Sequence, residues 1–234
     1  MSTTPDSPPS IWRRLRLPYS HEPNAWLLLA LVTLVISYPF LDDYDGGRAA
    51  IAIFDLAILM LALRAVQADG GEKKIGYLLV IPAVVLHVSA ALVALPALLL
   101  ASYGAQAAFH GFVVICLLRY MLRDDIMTLD ELFAAAAFYV LLAFVFAYLY
   151  ACIEQLVPGA FFINEANRAP DSVRWWDLLY FSFTCLTSVG FGDITPVSDY
   201  ARSLVMIQQM VGVLYFALIV SRLVSLQTKG KKRD

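Results

Sequence analysis

The sequence predicts an all-α integral membrane protein with six transmembrane helices and one shorter re-entrant helix that ends in a loop. Hydrophobic residues make up 60% of the chain and charged residues only 15%, whereas soluble domains average about 45–50% apolar and about 25% charged residues. Six apolar stretches are long enough to cross a bilayer, which takes about 20 residues per helix. A seventh apolar stretch is too short to cross and runs into a polar segment that contains glycine.

The expected spans cover residues 25–41, 49–66, 75–95, 105–122, 132–157 and 201–226. The third and fourth form one nearly uncharged run, which we divide near Pro96 and Gly104 because proline and glycine favour turns. The predicted organisation is an N-terminal segment (1–23), a four-helix domain (24–123), a linker elbow (124–131), a second domain (132–226) and a basic tail (227–234). The second domain contains an outer helix (132–157), a re-entrant helix (172–186), a loop (187–193) and an inner helix (201–226). Thr128 and Glu131 have the spacing of a capping box, which predicts an ordered start of the outer helix.

The basic residues predict an orientation, because lysine and arginine are enriched on the cytoplasmic side of membrane proteins. With the N-terminus inside, most of them fall on the inner side. The outer side then carries only Arg48, Arg168, Arg174 and Arg202, together with the acidic turn over residues 42–45. We therefore expect a multi-pass protein of the cell membrane, in contact with lipids, with both termini cytoplasmic.

The loop Thr187-Ser188-Val189-Gly190-Phe191-Gly192-Asp193 lies between two long apolar stretches. Irregular backbone is tolerated at membrane depth only where protein or a water-filled pathway surrounds it. Gly190 and Gly192 permit unusual backbone angles, with which a run of carbonyls can replace the hydration shell of a potassium ion. We predict that potassium ions bind the backbone carbonyls of Thr187, Ser188, Val189, Gly190 and Phe191, and the Ser188 hydroxyl. The side chains of Val189 and Phe191 are expected to point away and pack behind.

This loop resembles the signature of the tetrameric potassium channel superfamily, usually T-V-G-Y-G-D. The resemblance covers residues 130–226 and is most specific over residues 175–196. It implies an outer helix, pore helix, selectivity filter and inner helix in that order, and a homotetramer around the ion path. Gly192, Asp193, Thr184, Tyr180 and Trp176 are expected to support the filter, with aromatic residues forming a cuff around the pore helix.

Three positions depart from the family pattern. Ser188 stands where threonine is commonest, so the innermost site is expected to hold ions more loosely. Phe191 replaces tyrosine and lacks its hydroxyl. Thr184 stands where some members carry a glutamate, which leaves Asp193 with fewer expected partners.

The inner helix carries Gly212 at the position of the family's hinge glycine. Bending at this glycine and close helix packing both explain it. Gln208 and Gln209 fit either contact with the ion cavity or hydrogen bonds between helices. Helical spacing from Gly212 gives gate candidates that could form a hydrophobic constriction: Phe216, Val220, Leu223 and Val224.

The first four spans lack the row of positive charges that voltage sensing requires. The fourth contains only Arg119 and Arg123, near its cytoplasmic end. Steep voltage gating is therefore not expected, and lipid, pH or a ligand acting through these spans is the expected control. Asp55, His87 and His110 lie within spans, where ionisable groups are costly. A pH-sensing role and simple hydrogen bonding both fit the two histidines.

The predicted function is a potassium-selective channel subunit. The alternatives are a weakly selective cation channel, which Ser188 leaves open, and a non-conducting transporter or assembly subunit. We expect no enzyme, since no His-rich or Cys-rich cluster is present, and no cofactor besides potassium ions. The net charge of −2 and the lack of a basic stripe predict no nucleic-acid partner. The short tail after residue 226 leaves no room for a soluble ligand-binding domain in this chain.

Overall fold

The computed structural model describes residues 23–41, 47–65, 70–93, 95–123, 128–164 and 173–231. The side chains of residues 41, 47–54, 70, 71, 91 and 223–231 lie outside this description. In chain order the elements are α1 (Pro23–Leu41), α2 (Gly47–Ala65), α3 (Gly70–Leu92), α4 (Pro96–Arg123), α5 (Leu129–Leu156), β1 (Phe161–Ile163), α6 (Trp175–Leu186), β2 (Ile194–Pro196) and α7 (Asp199–Lys231). The predicted N-terminal segment up to residue 22, the acidic turn at 42–45 and residues 124–127 of the elbow lie outside the described residues.

Five of the described helices are long and apolar enough to cross a membrane: Pro23–Phe40, Glu72–Ala90, Pro96–Arg123, Leu129–Leu156 and Asp199–Arg222. The protein is therefore a multi-pass, helical membrane protein. The expected second span corresponds to α2, whose first eight side chains are not described. Helix α6 has 12 residues and is about 18 Å long at 1.5 Å per residue, too short for a hydrocarbon core of about 30 Å.

The boundary between α3 and α4 lies where Pro96 predicted it, and the turn expected at Gly104 is wrong. Pro96 is the first residue of α4, and Gly104 lies inside this helix. Proline suits the first helical position because its missing N–H needs no partner there. Glycine inside a helix costs only about 1 kcal/mol, less than leaving backbone groups unpaired in a membrane.

Helix α5 is the centre of the fold, because 61% of its membrane span is buried, against 22% of the span in α7. Helices α1 and α4 pack along it on one side, and α6 and α7 contact it on the other. Helices α2 and α3 complete the first domain through α1 and α4. The first four helices therefore pack on the outer helix of their own chain mainly through α1 and α4. Phe109, Leu141 and Phe144 are fully buried at this junction.

The predicted capping box at the start of α5 is confirmed. Thr128 Oγ1 accepts from the Glu131 N–H at 3.2 Å, and the Glu131 carboxylate accepts from the Thr128 N–H at 3.1 Å. The neighbouring Asp130 carboxylate accepts from the side chain and backbone of Asn24 at 2.7 and 3.2 Å. It also accepts from the Tyr120 hydroxyl at 2.8 Å. The elbow thus ties together the first turn of α1, the end of α4 and the start of α5.

A two-stranded antiparallel ribbon adjoins the end of the loop. β1 pairs with β2, with Phe161 opposite Pro196, and the Asn164 N–H extends the pairing by donating to the Asp193 carbonyl at 2.9 Å. The sequence analysis missed this ribbon. Its signal was a proline–glycine pair at residues 158 and 159 followed by four apolar residues, a turn-then-strand pattern.

Candidate functional site

Helix α6 delivers the chain to the loop at residues 187–193. Its first turn is closed by Asp177, whose carboxylate accepts from the Arg174 N–H at 2.9 Å. Residue 172, where this helix was expected to begin, lies outside the described residues, and α6 starts at Trp175. Seven of its side chains are buried. Because α6 packs against both α5 and α7, the direction in which the loop leaves the helix is determined by this packing.

The loop backbone alternates in handedness. Ser188, Gly190 and Gly192 have φ values of +58°, +55° and +79°, whereas Val189 and Phe191 are not in the positive range. Alternation of this kind turns successive N–H groups toward one side. Because N–H and C=O lie on opposite edges of each planar peptide, the carbonyls turn toward the other side. Glycine supplies two of these three positions at little steric cost, and Ser188 takes the third.

The N–H groups of the loop are held by the last turn of α6. Those of Val189 and Gly190 both donate to the Thr184 carbonyl, at 3.0 and 3.3 Å, and that of Ser188 donates to the Cys185 carbonyl at 3.0 Å. The Thr187 N–H donates to the Phe183 carbonyl at 3.0 Å. Within the part of the chain that the structure describes, the carbonyls of residues 187–192 accept no hydrogen bond. A row of free carbonyl oxygens facing away from α6 is an arrangement that can coordinate a cation.

The side chains predicted to support the loop take different roles. Thr184 is buried and acts through its carbonyl, while its hydroxyl donates to the Phe181 carbonyl at 2.9 Å. Asp193 has more partners than the sequence analysis expected. Its carboxylate accepts from the Ile194 N–H at 3.0 Å, and its backbone carbonyl accepts from the Asn164 N–H at 2.9 Å.

The two tryptophans at the start of α6 contact different helices. Trp176 stacks on Tyr38 of α1 at a centroid distance of 4.3 Å, so it connects α6 to the first domain. Trp175 packs against Tyr148 of α5 at 5.0 Å. The aromatic cuff therefore includes residues from α1 and α5, which the sequence pattern near the loop did not indicate.

The side chains of Val189 and Phe191 are 55% and 70% exposed. They leave the loop without covering contacts from the described part of the same chain. The prediction that they pack behind the carbonyls therefore requires a surface that a single chain does not provide.

A buried hydrogen-bond network joins the inner helix to α6 and α5. Gln208 is fully buried, and its amide donates to the Ser182 carbonyl at 3.0 Å and hydroxyl oxygen at 2.7 Å. The Tyr150 hydroxyl donates to Gln208 Oε1, and the Ser182 hydroxyl donates to the Ala143 carbonyl at 2.7 Å. Of the two explanations for Gln208, the structure therefore supports hydrogen bonding between helices. Gln209 is exposed.

Gly212 is packed against the residue that precedes the loop. A Cβ on Gly212 would overlap the Leu186 carbonyl oxygen and lie 3.1 Å from Leu186 Cδ1. The same carbonyl accepts from the Tyr139 hydroxyl at 3.3 Å. This favours close packing over hinge bending as the reason for the glycine. Phe216 and Val220 are exposed on α7, and the side chains of Leu223 and Val224 lie outside the description, so their gating role stays a prediction.

In the first domain, Arg119 forms an ion pair with Glu72 across α3 and α4, with Nη1 and Oε1 2.8 Å apart. Asp55, which the sequence analysis left without a partner, meets His87 and the amide of Gln106. His110 is fully buried, with Nδ1 2.8 Å from the Gln106 carbonyl.

Two comparisons with known proteins give matches, and the family match covers the part of the chain that holds the loop. The family described as "Ion channel" matches residues 127–229. The potassium channel protein kcv of Paramecium bursaria Chlorella virus 1 is 35% identical over 71 residues, which are 30% of this chain and 74% of the viral protein.

Proposed function

Because the chain belongs to the potassium channel superfamily, we propose that it forms a potassium-selective pore in which residues 187–193 are the selectivity filter. The observation that carries this proposal is the filter backbone: the N–H groups of residues 187–190 are held by α6, and the filter carbonyls are free and turned to one side. Such carbonyls replace the water around a desolvated ion. The ion ligands are the carbonyls of residues 187–191 and the Ser188 hydroxyl.

Four copies are proposed to surround the ion path, since one chain supplies one filter strand and a ring of carbonyls is needed. The exposure of Val189 and Phe191 supports this assembly, because apolar side chains beside a pore require a protein surface behind them. Phe216 is 70% exposed on the inner helix, so its side chain is available to the ion path, to lipid or to the neighbouring copies. A homotetramer covers the filter side chains with the pore helices of adjacent copies.

The proposed topology has six spans, with α6 and the filter as a re-entrant element, both termini cytoplasmic and the protein in the cell membrane. The charge distribution supports it, because the ion-paired Arg119 and the exposed Lys73 and Lys74 lie at the ends of α3 and α4 that would face the cytoplasm. Arg202, near the start of α7, then lies outside. An Arg119 that is paired to Glu72 is a poor mobile charge, which supports weak dependence on voltage.

Ion flux through the purified protein in lipid vesicles tests the proposal. Potassium and rubidium are expected to permeate far faster than sodium, and barium is expected to block, because it matches potassium in size and binds the carbonyls more tightly. Gly190→Ala is expected to abolish selective flux. No atom obstructs a Cβ at Gly190, so the effect arises from the φ of +55°, which costs a residue with a Cβ about 1–2 kcal/mol.

Gly104→Ala is the matched control, since a Cβ there also meets no neighbour and the residue is helical. It is expected to conduct as the wild type does. Equal sodium and potassium permeability in the wild type would contradict the proposed selectivity and support a weakly selective cation channel. A monomer as the only conducting species in mild detergent would contradict the proposed assembly.

A further inference from the structure

A buried polar cluster joins the first four helices to the outer helix of the pore. Its members are Asp55 of α2, His87 of α3, Gln106 of α4 and Tyr148 of α5, and we refer to them as the Asp55 cluster. The Gln106 amide donates to Asp55 Oδ2 at 2.9 Å, and the Tyr148 hydroxyl is 3.3 and 3.4 Å from the two carboxylate oxygens. His87 Nε2 lies 3.7 Å from Oδ2. One carboxylate therefore connects four helices.

The carboxylate of Asp55 is almost completely shielded, with 4% of the residue exposed. A buried charge is costly unless it is paired and hydrogen-bonded, and two of its contacts are neutral donors. His87 is the contact that can become positive, because histidine gains its charge between about pH 8 and pH 5. Its side chain is 28% exposed, so it is not sealed inside the helix bundle.

The other titratable groups near the cluster do not neutralise Asp55. On α4, His110 is fully buried beside the Gln106 carbonyl, and the Tyr103 ring is 6.4 Å from that of Tyr148. α1 contains no acid, lysine, arginine or histidine. At the start of α6, Arg174 is ion-paired with Asp177 at 3.5 Å. Among the described residues, His87 and His110 are therefore the two groups near Asp55 that can gain a positive charge, and of the two only His87 is partly exposed.

The cluster also reaches the pore helix. The Tyr148 ring that Asp55 anchors lies 5.0 Å from the ring of Trp175, the first residue of α6. Around Tyr148, three buried polar atoms have no partner in the described part of the chain: Gln106 Oε1, His110 Nε2 and Trp175 Nε1. They comprise two acceptors and one donor when His110 donates from Nδ1 to the Gln106 carbonyl. These buried polar atoms make the junction between the first domain and α6 polar.

We propose that the Asp55 cluster is a proton-operated latch between the first four helices and α6, the helix that leads into the selectivity filter. Protonation of His87 from the outer solution gives it a charge opposite to that of Asp55, and the resulting ion pair holds Tyr148 and Trp175 in the described arrangement. His87 is five residues from the end of α3, about 8 Å along the helix axis, which is the outer end in the proposed topology. The effect of the latch on conduction rests on the proposed function. The ion pair between Asp55 and His87 does not depend on that function.

A double-mutant cycle tests the ion pair without requiring conduction. The unfolding midpoints of the wild type, Asp55→Asn, His87→Gln and the double variant are measured at about pH 5.5 and pH 7.5, on either side of the usual histidine titration. The single effects are expected to be non-additive at the lower pH and closer to additive at the higher pH. Additive effects at both pH values would overturn the proposal. If Asp55→Asn does not fold, the unfolding midpoints of the wild type and His87→Gln are compared alone. The wild type must then gain stability relative to His87→Gln on acidification. A difference between the two midpoints that does not change with pH overturns the proposed ion pair.

Currents test the latch. Acidifying the outer side from about pH 7.5 to pH 5.5 is expected to raise the potassium current about fivefold, the lower end of typical coupling between two sites. His87→Gln is expected to remove this response and His21→Gln, the matched control, to retain it. Tyr148→Phe keeps the ring and removes the hydroxyl, so it is expected to weaken the response. An acid response that survives in His87→Gln would overturn the latch. Absence of any wild-type current together with a pH-dependent cycle would contradict the proposed conduction and support the ion pair.

Discussion

Replacing Gly212 by alanine distinguishes helix packing from hinge bending at the inner helix. The added Cβ would overlap the Leu186 carbonyl oxygen, which is backbone and cannot rotate away as a side chain does. Either α7 or the end of α6 must move, and overpacking of this kind costs about 1–3 kcal/mol. In a helix with free space the same change would stabilise by up to about 1 kcal/mol. We therefore expect a net loss of about 1 kcal/mol in the free energy of unfolding, with reduced potassium flux.

The measurement is an unfolding titration of the purified protein in mixed micelles, with Gly104→Ala as the matched control. A Cβ at Gly104 has no neighbour within 4 Å, so this variant is expected to stabilise by up to about 1 kcal/mol through helix propensity alone. The two glycine replacements should therefore have opposite signs. If Gly212→Ala stabilises the protein as much as Gly104→Ala does, the packing argument is refuted and hinge bending becomes the better explanation.

The remaining predictions concern three polar contacts. Gln208→Leu removes three hydrogen bonds. At about 0.6 kcal/mol each, it should lower the free energy of unfolding by about 2 kcal/mol in the same titration. Gln209→Leu, at an exposed position, should change this free energy by less than about 0.5 kcal/mol. Arg119→Gln breaks the partly exposed pair with Glu72 and should lower the free energy of unfolding by less than about 1 kcal/mol. The conductance–voltage slope of this variant should stay shallow. A steep wild-type slope that flattens in the variant would reveal a voltage sensor. Asp130→Asn loses acceptor capacity at a buried site and should cost about 1–3 kcal/mol, with faster amide exchange at the start of α1.

Hydropathy and local spacing predicted much of the helical frame. A bilayer requires long apolar runs and internally paired backbone, so most span positions follow from run length within a few residues. The fourth span is the exception, since α4 begins at Pro96 and not at the expected residue 105. The capping box of Thr128 and Glu131 was predictable because both partners lie in one turn. The turn expected at Gly104 failed because local glycine propensity is weak compared with the need to pair backbone groups in a membrane.

Side-chain roles that depend on distant partners were not predictable. Gln208 and Ser182 are 26 residues apart, and Asp55 and Gln106 are 51 apart. Sequence spacing offers no guide to such pairs, because several helix packings would satisfy the same hydropathy pattern. The contact between Trp176 and Tyr38 of α1 is a further example, since the family pattern around the loop says nothing about the first span.

The sequence by itself determined that this chain is a helical membrane protein with a glycine-containing loop suited to bind a desolvated cation. It did so because span length, glycine positions and loop polarity are local properties of the chain. Only the tertiary structure decided that Gly212 packs on Leu186 and that Asp55 meets His87 and Tyr148. These contacts join different helices. A polar group buried in an apolar surrounding needs a partner, and only the assembled fold brings that partner within reach.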